Sequence, residues 1–445
     1  MILSLDVRRA RKGDCLLLHF GSKDEPGLVL IDGGPRDVYK PHLRPRIEQV
    51  RDARGLSEND SLIVDLLMVS HVDDDHVQGI LDLTRDELVA KGAGRSRLLN
   101  VLGLWHNSFD EIIGHKPTEL TASVRSHFGA AAISGGSDLP EDKKIEVEEK
   151  SVEDKEVVTS ALKVLASIEQ GFRLRQDAAG LGYERNPHFD GKLIIARVGG
   201  KPVKVGEGLK FLVVGPMQAE VEALFKRHQE WLKDLASSGK SPPEALAAYI
   251  DKSVPNLSSI VVLAEAGGKR VLLTGDARGD KILGGLQFVG LLEPGESSKI
   301  HVDLLKVPHH GSANNLDEDF FERITADHYV FSGNGEHGNP ERDAMDMLFK
   351  ARGKAPYTIH LTYPVEEIDA ARKRDWEKEQ GKEKVRSANA KVAGKKSGKV
   401  RPNWSAARNS LGAFFAAKGL AEGQKIDVVE KDKPHVIDLL DPLGF

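Results

Sequence analysis

An α/β fold with its chemistry at the ends of strands is what this sequence predicts, on three observations. Short apolar runs alternate with stretches of helical spacing, and several of the runs end in His/Asp clusters or Asp-Gly turns. The chain, at 445 residues, is long enough for two or three units of roughly 150 residues, or for one elaborated layered domain. Hydrophobic residues make up 40% and charged residues 29%, which suits a globular core and excludes wholesale disorder.

The composition also bounds function. With 63 basic and 68 acidic residues the net charge is −5, so any nucleic-acid contact needs a local basic patch. The single cysteine, Cys15, rules out an intramolecular disulfide framework and a Cys-rich zinc module. Met1 to Leu5 is too short for a signal-peptide core before Asp6, Arg8 and Arg9. No run approaches the roughly 20 apolar residues of a membrane span. The expectation is a cytoplasmic protein with no membrane partner.

Taken in order, the first 35 residues read as a β-meander. Met1–Val7, Cys15–Phe20 and Gly27–Ile31 are apolar runs, the last ending in Asp32-Gly33-Gly34-Pro35, a sharp exit from a sheet. Helical spacing covers Leu43–Val50. Leu62–Ser70 fits a strand buried on both faces, and it runs directly into His71-Val72-Asp73-Asp74-Asp75-His76. Asp138 to Glu156 carries nine acids and four lysines with little periodicity, as a solvated face would. Glu169 through Gly191 reads as an irregular insertion. Strands resume at Leu209–Val214, Ser259–Ala264 and Arg270–Thr274, followed by Gly275-Asp276. Val302–Val307 precedes Pro308-His309-His310-Gly311-Ser312, and Tyr329–Ser332 precedes Gly335-Glu336-His337-Gly338. Residues 372 to 401 hold twelve Lys/Arg and four acids. Leu411–Ala417 reads as a helix, with two short strands after it. No internal repeat is visible.

The densest chemistry is His71, Asp73, Asp75 and His76, four potential ligands within six residues. Three consecutive aspartates repel one another, and burying them without a cation costs several kcal/mol. A divalent metal resolves the conflict, and His with carboxylate is a suitable ligand set. The competing reading is a helix N-terminus capped by Asp74 or Asp75, which leaves the flanking histidines unexplained. Asp276 is the natural bridging carboxylate beside this cluster. His309 and His310, adjacent at a strand end, are expected to point to different sides, one toward metal and the other toward substrate. Ser312 is expected to bind substrate.

The segments Leu30-Ile31-Asp32-Gly33-Gly34, Ser70 to His76, Leu272-Leu273-Thr274-Gly275-Asp276 and Leu305 to Ser312 occur in the order of the metallo-β-lactamase superfamily. The chain resembles most closely the hydrolase domain of the ComEC competence protein, with Gly13-Asp14, Asn256-Leu257-Ser258-Ser259 and Gly338 near His337 also matching. The resemblance implies an αββα sandwich with insertions and a C-terminal extension. It implies a hydrolase domain over 1–365 with an insertion at about 107–200, and an extension over 403–445 packing on the core. Residues 366–402 between them would be a basic linker or a nucleic-acid contact.

Carried onto this chain, the resemblance gives His71 and Asp73 to a first metal and Asp75 and His76 to a second. Asp276 would bridge, and His309 or His310 would complete the second site. Asp32 would hold the scaffold beneath. Asp73 stands where most of the superfamily has His, so the first site is richer in oxygen. That shifts preference toward manganese or magnesium, with zinc as an alternative. No convincing third-motif histidine precedes Asp276, although His106, His115 and His188 are candidates. Function by resemblance is hydrolysis of a phosphodiester, nuclease-like, by water activated on one or two divalent ions. Asp75 would orient that water, and His310 or His337 would contact the phosphate or protonate the leaving oxygen. Asn107 and Asn256 would help bind substrate. The alternatives are a hydrolase of a small ester, lactone or cyclic nucleotide, and a binding module with a degenerate site.

Overall fold

The computed structural model describes the chain apart from residues 109–110, 112–168, 224–225, 227–257, 296, 393, 395 and 431–432. The acidic stretch 138–156, most of the proposed insertion, and the candidates His115 and Asn256 therefore lie outside the described residues.

The antiparallel meander comprises β1 (Ile2–Val7), β2 (Leu16–Gly21) and β3 (Pro26–Ile31), with Leu16 opposite Ile31. Its side chains alternate as a pleated strand requires: Leu3, Leu5, Leu16 and Leu18 enter one apolar cluster, Leu17, Leu28 and Leu30 another. After α1 (Arg44–Ala53), the run expected as one strand divides at Asp65 into β4 (Leu62–Val64) and β5 (Leu66–Met68). Asp65 reaches back to β3, where its carboxylate accepts the Leu28 N–H and its own N–H donates to the Leu28 carbonyl, both at 2.9 Å. One aspartate thus sends β5 into the main sheet parallel to β3 and leaves β4 to pair elsewhere.

The helix α2 (Asp74–Gly92) follows the His/Asp cluster, and β6 (Leu99–Val101) takes β4 as its partner. The main sheet continues through β7 (Gly103–Trp105) and β8 (Glu184–Arg185). Part of the stretch read as irregular is helical: α3 (residues 169–181) buries Leu174, Ala178 and Leu181 beside α1 and α2. Gly171 and Gly180 dilute its helix propensity, and tertiary burial overrides them.

The second sheet repeats the plan of the first. β9 (Val203–Lys204), β10 (Lys210–Gly215), β11 (Val261–Ala266) and β12 (Lys269–Leu273) are antiparallel. Then β13 (Ile300–Lys306), β14 (Ile324–Phe331), β15 (Tyr357–Leu361) and β16 (Gln424–Val428) join in parallel. The helices α4 (Gly279–Phe288), α5 (Glu318–Arg323), α6 (Arg342–Arg352), α7 (Val365–Val392) and α8 (Leu411–Lys418) accompany them. β17 (Val436–Asp438) returns to the first sheet beside β1, so the C-terminal residues supply an edge strand to each sheet. Both sheets therefore run from an antiparallel meander into parallel strands, a topological repeat with no visible counterpart in sequence.

One cluster joins the inner faces of the two sheets and takes in Ile282, Phe320, Leu348 and Phe414 from the later helices. The other holds Ile47, Val50, Val77, Ile80 and Leu81 of α1 and α2 against the far face of the first sheet. The molecule is a layered α/β protein.

The basic segment opens with a helix. α7 spans 28 residues, and the chain beyond it folds back: Gln380 Nε2 donates to the Arg401 carbonyl at 2.9 Å, Arg401 pairs with Glu383, and Trp376 meets Trp404 at 5.9 Å between ring centroids.

Three histidines link the two sheets away from the strand-end clusters. His328 Nδ1 lies 3.0 Å from His360 Nε2, and His360 Nδ1 lies 2.8 Å from His435 Nε2. Burial, then the two neighbouring imidazoles, push His360 down to about 2, so it stays neutral in the fold and binds a proton readily only when unfolded. A depressed folded pKa in a histidine means stability is retained above about 6.5 and lost as pH falls below it. Unfolding measured at pH 6.5 and 5.5 is expected to show a loss of about 1 kcal/mol from this group, since the unfolded imidazole is already half protonated at the start of that interval. The slope should shrink in His360→Gln. Equal slopes in the two proteins would refute the assignment.

Candidate metal centre

The repeat in topology places the chemistry. Asp32 follows β3 and Asp276 follows β12, each at the end of a meander. His71 follows β5, while His309 and His310 follow β13, the next parallel strand in each sheet. His106 follows β7 and Ser332 follows β14. A backbone hydrogen bond from Ile260 N–H to the Ser70 carbonyl, 2.8 Å, ties the two sheets together here.

Local backbone brings the side chains inward. Asp73 is the N-cap residue of α2, with Asp74 and Asp75 in the first turn, so the helix dipole favours these carboxylates. Asp73 makes no side-chain capping bond there, so its position at the helix start is compatible with a ligand role. Gly33 and Gly79 let α2 lie on the β3 exit: a Cβ on Gly79 would stand 1.9 Å from the Gly33 carbonyl oxygen. Gly33 N–H donates to the His76 carbonyl at 2.8 Å, fixing the first turn of α2. A Cβ on Gly13 would stand 1.8 Å from the Asp75 carbonyl oxygen, so only glycine admits the loop that carries Asp14.

His309 and His310 differ from the sequence expectation. Both adopt left-handed backbone, φ 47° and 54°, in a 3-10 turn rather than an extended strand. Each such residue costs about 1–3 kcal/mol unless its surroundings over-determine it. The two rings therefore converge on Asp276 instead of pointing to opposite sides. His309 Nε2 stands 3.7 Å from Asp276 Oδ2, and His310 Nε2 stands 3.3 Å from Asp276 Oδ1.

The Asp276 carboxylate divides the cluster. Around Oδ2 lie His309 and His71, the latter with Nε2 at 3.9 Å and Asp73 Oδ2 3.7 Å from that same nitrogen. Around Oδ1 lie His310 and His76, whose Nε2 is 3.2 Å away, and Asp75 groups with those two histidines. His71, His76 and Asp276 form one set with metal-ligand spacing, and Asp75, His76 and His310 another. The Nε2 atoms of His71, His76 and His310 and the Oδ1 of Asp276 are buried with no hydrogen-bond partner. Four converging orphans of this chemistry fit a divalent cation, since buried polar atoms are otherwise paired.

Electrostatics agree. Burial pushes His71 down to about 3, leaving a neutral imidazole suited to ligation. Burial works against charge on His76 too, yet the carboxylates of Asp276 and Asp32 raise its pKa well above the ordinary value. His310 is raised likewise, burial being outweighed by Asp276 and Asp14. Asp276 is held well below the usual carboxylate range, because His310, His76 and His309 outweigh its burial. The carboxylates thus favour a cation at this point.

Behind the donors is a supporting layer. Asp32 Oδ2 lies 2.8 Å from His76 Nδ1 and accepts from Ser70 Oγ at 2.7 Å. Asp14 accepts from Ser332 Oγ and contacts the Lys306 ammonium. His310 Nδ1 meets Ser332 Oγ at 3.0 Å. Reading the sequence missed the roles of Asp14, Lys306 and Ser332. The available signal was a lysine in the otherwise apolar run Leu304 to Val307.

The expected substrate-side residues divide. Asn107, 2% exposed, is a clamp, with Nδ2 donating to the Ile194 carbonyl and Oδ1 accepting the Ile194 N–H, both at 2.8 Å. Ser312 Oγ donates to Glu341 Oε1 at 3.3 Å and braces the start of α6. His310 is 3% exposed, with its Nε2 turned toward Asp276 Oδ1. His337 is exposed, on the turn Glu336–Gly338, with its N–H donating to Asp375 of α7. His106 is buried near Gly171, and burial pulls it down to about 4. His188 is exposed and accepts from Trp105 Nε1 at 3.0 Å.

Fold and site together define a layered α/β protein with a candidate metal centre at the strand ends. No protein-family model matches the chain. Rat microtubule-associated protein 1A is 28% identical over 125 residues, 28% of this chain and 4% of that protein. The human protein of that name is 36% identical over 64 residues, 14% of this chain and 2% of that protein. The chain therefore spans only a few per cent of the curated relatives it matches. A solved structure from Parabacteroides distasonis, provisionally named a metal-dependent hydrolase, aligns over 81% of this chain and 98% of its own. Its identity is 8% and its TM-score 0.28. None of these likenesses assigns an activity. No helix among the described residues is long and apolar enough to cross a membrane.

Proposed function

We propose that the protein is a metal-dependent hydrolase of phosphodiester bonds, nuclease-like in its preferred substrate. The observation that carries the metal-dependent part is the division of donors about the two oxygens of Asp276. Asp276 would bridge two divalent ions, with His71, Asp73 and His309 on one side and Asp75, His76 and His310 on the other. Bound ions would polarise the phosphoryl group and lower the pKa of a water. Manganese, zinc and magnesium are all compatible with this mixed His/carboxylate set.

The chain's own residues supply the rest. Asp75, half-buried at the first turn of α2, would accept a proton from the attacking water. His309, with a side chain 29% exposed, would be the donor nearest the solvent side of the site. His337 would protonate the leaving oxygen. The choice of phosphodiester rests on the resemblance to the metallo-β-lactamase superfamily and on α7.

That helix starts beside the proposed mouth, where Arg372 Nε donates to the Gly338 carbonyl at 3.0 Å. Eight of the twelve basic residues in 372–401 lie beyond residue 381, with Glu383 their single acid. At about 1.5 Å per residue, Lys391 stands roughly 24 Å along the axis from Asp375. A nucleic acid of several nucleotides could reach both; a small diester could not.

The test is a substrate panel of DNA, RNA, a chromogenic phosphodiester, a lactone and an ester, with metal supplied. Phosphodiester turnover is expected, and carboxylic-ester turnover without it would overturn the reading. Reversing Lys384, Arg386, Lys391 and Lys396 to Glu should weaken binding of long substrates and flatten its salt dependence, by roughly 0.7–0.9 in log–log slope for each phosphate no longer neutralised. Hydrolysis of the small diester should be unchanged. An unaltered slope would remove nucleic acid from the proposal.

A further inference from the structure

Lys306 is a lysine where the core of a sheet would take leucine. It lies on β13, 1% exposed, between Leu305 and Val307, both fully buried. Burying an ammonium costs several kcal/mol unless it is well paired. Lys306 is paired: Nζ contacts the Asp14 carboxylate, donates to the Gly275 carbonyl at 3.1 Å and stands 3.9 Å from Asp276 Oδ1.

Asp14 sits behind two of the donors. Its Oδ1 accepts from Ser332 Oγ and lies 3.6 Å from His310 Nδ1, while its Oδ2 lies 3.8 Å from His76 Nδ1. The same carboxylate is close enough to compete for an ion, because Asp14, Asp276 and His310 form a set with metal-ligand spacing. Two roles are therefore open to it, ligand or support, and the ammonium on its oxygen decides between them.

We propose that Lys306 is a built-in cation that holds Asp14 out of metal coordination and makes it, through Ser332, the positioning carboxylate for His310. This rests on the metal reading above. A histidine whose Nδ1 faces a hydroxyl backed by a carboxylate presents Nε2 in a fixed orientation and with raised basicity, and loss of such partners weakens metal binding by about 10- to 100-fold. Lys306 and Asp14 contribute no ligand atom. They are positioning residues, and Lys306 acts on His310 through three successive contacts, by way of Asp14 and Ser332.

The experiment is a competition titration of the chelator-stripped full chain with zinc against a fluorescent chelator, together with the visible spectrum of the cobalt-loaded protein. Lys306→Met should bind the first ion about 10- to 100-fold more weakly, or alter the cobalt bands as Asp14 enters coordination, with Lys306→Arg recovering part of the loss. Ser332→Ala leaves the Lys306–Asp14 pair intact and should fold even where Lys306→Met does not. It should weaken binding about tenfold. The double variant Lys306→Met/Ser332→Ala should lose little more than the worse single variant, because the two act in one chain.

Wild-type binding together with unchanged affinity and cobalt spectrum in Lys306→Met and Ser332→Ala would overturn the positioning role alone. Where Lys306→Met does not fold, unchanged Ser332→Ala decides the same way. Losses that add independently would also overturn it. A wild-type protein that binds neither zinc nor cobalt would overturn the metal reading and this role together.

Discussion

Zinc or manganese added to the chelator-stripped protein is expected to raise its thermal unfolding midpoint by several degrees. An ion that binds only the folded state stabilises it by about 2.7 kcal/mol at a hundred times its Kd. The effect should be large here because the orphaned Nε2 atoms of His71, His76 and His310 and the Oδ1 of Asp276 gain the partner they lack. Calorimetry with and without chelator checks this. A midpoint indifferent to both metals would mean that the cluster is not a metal centre, whatever its spacing.

The second large effect is on turnover. Asp276→Ala should lower kcat on a phosphodiester by about a hundred- to a thousandfold, the scale seen when a principal electrostatic stabiliser is removed. Metal content should fall with it, since Asp276 faces donors on both of its oxygens. The fold should persist, because the main cores form from the sheet faces and their covering helices. His337→Ala should lower turnover and leave metal content untouched, as the residue is exposed and lies outside the buried donor sets. Full activity in a cleanly purified Asp276→Ala protein would sink the bridging role, and parallel loss of metal and activity in His337→Ala would make that residue a ligand.

Much of this was legible in the sequence, because strands and turns are written locally. Apolar runs of five or six residues marked the two meanders, and Asp-Gly and His-His clusters marked where strands stop. The candidate donors came from the same local signal: adjacent aspartates flanked by histidines at a strand end are costly to enclose without a cation. Less legible were features set by partners distant in the chain. The division of Leu62–Ser70 at Asp65 depends on Leu28 of another strand. The helix α3 exists because an outer sheet face needed covering.

Sequence alone determined the layered α/β character, the strand-end placement of His71 to His76, Asp276, His309 and His310, and the basic stretch from 372 to 401. Only the tertiary structure decided which oxygen of Asp276 each histidine faces, and that Asn107 and Ser312 hydrogen-bond to Ile194 and Glu341. It also decided that Asp14, 292 residues before Lys306, shares a buried contact with it. Residue type and local spacing say which atoms can bind. Direction comes from backbone conformation, such as the left-handed turn at His309 and His310, and from burial beside groups that the chain brings in from elsewhere.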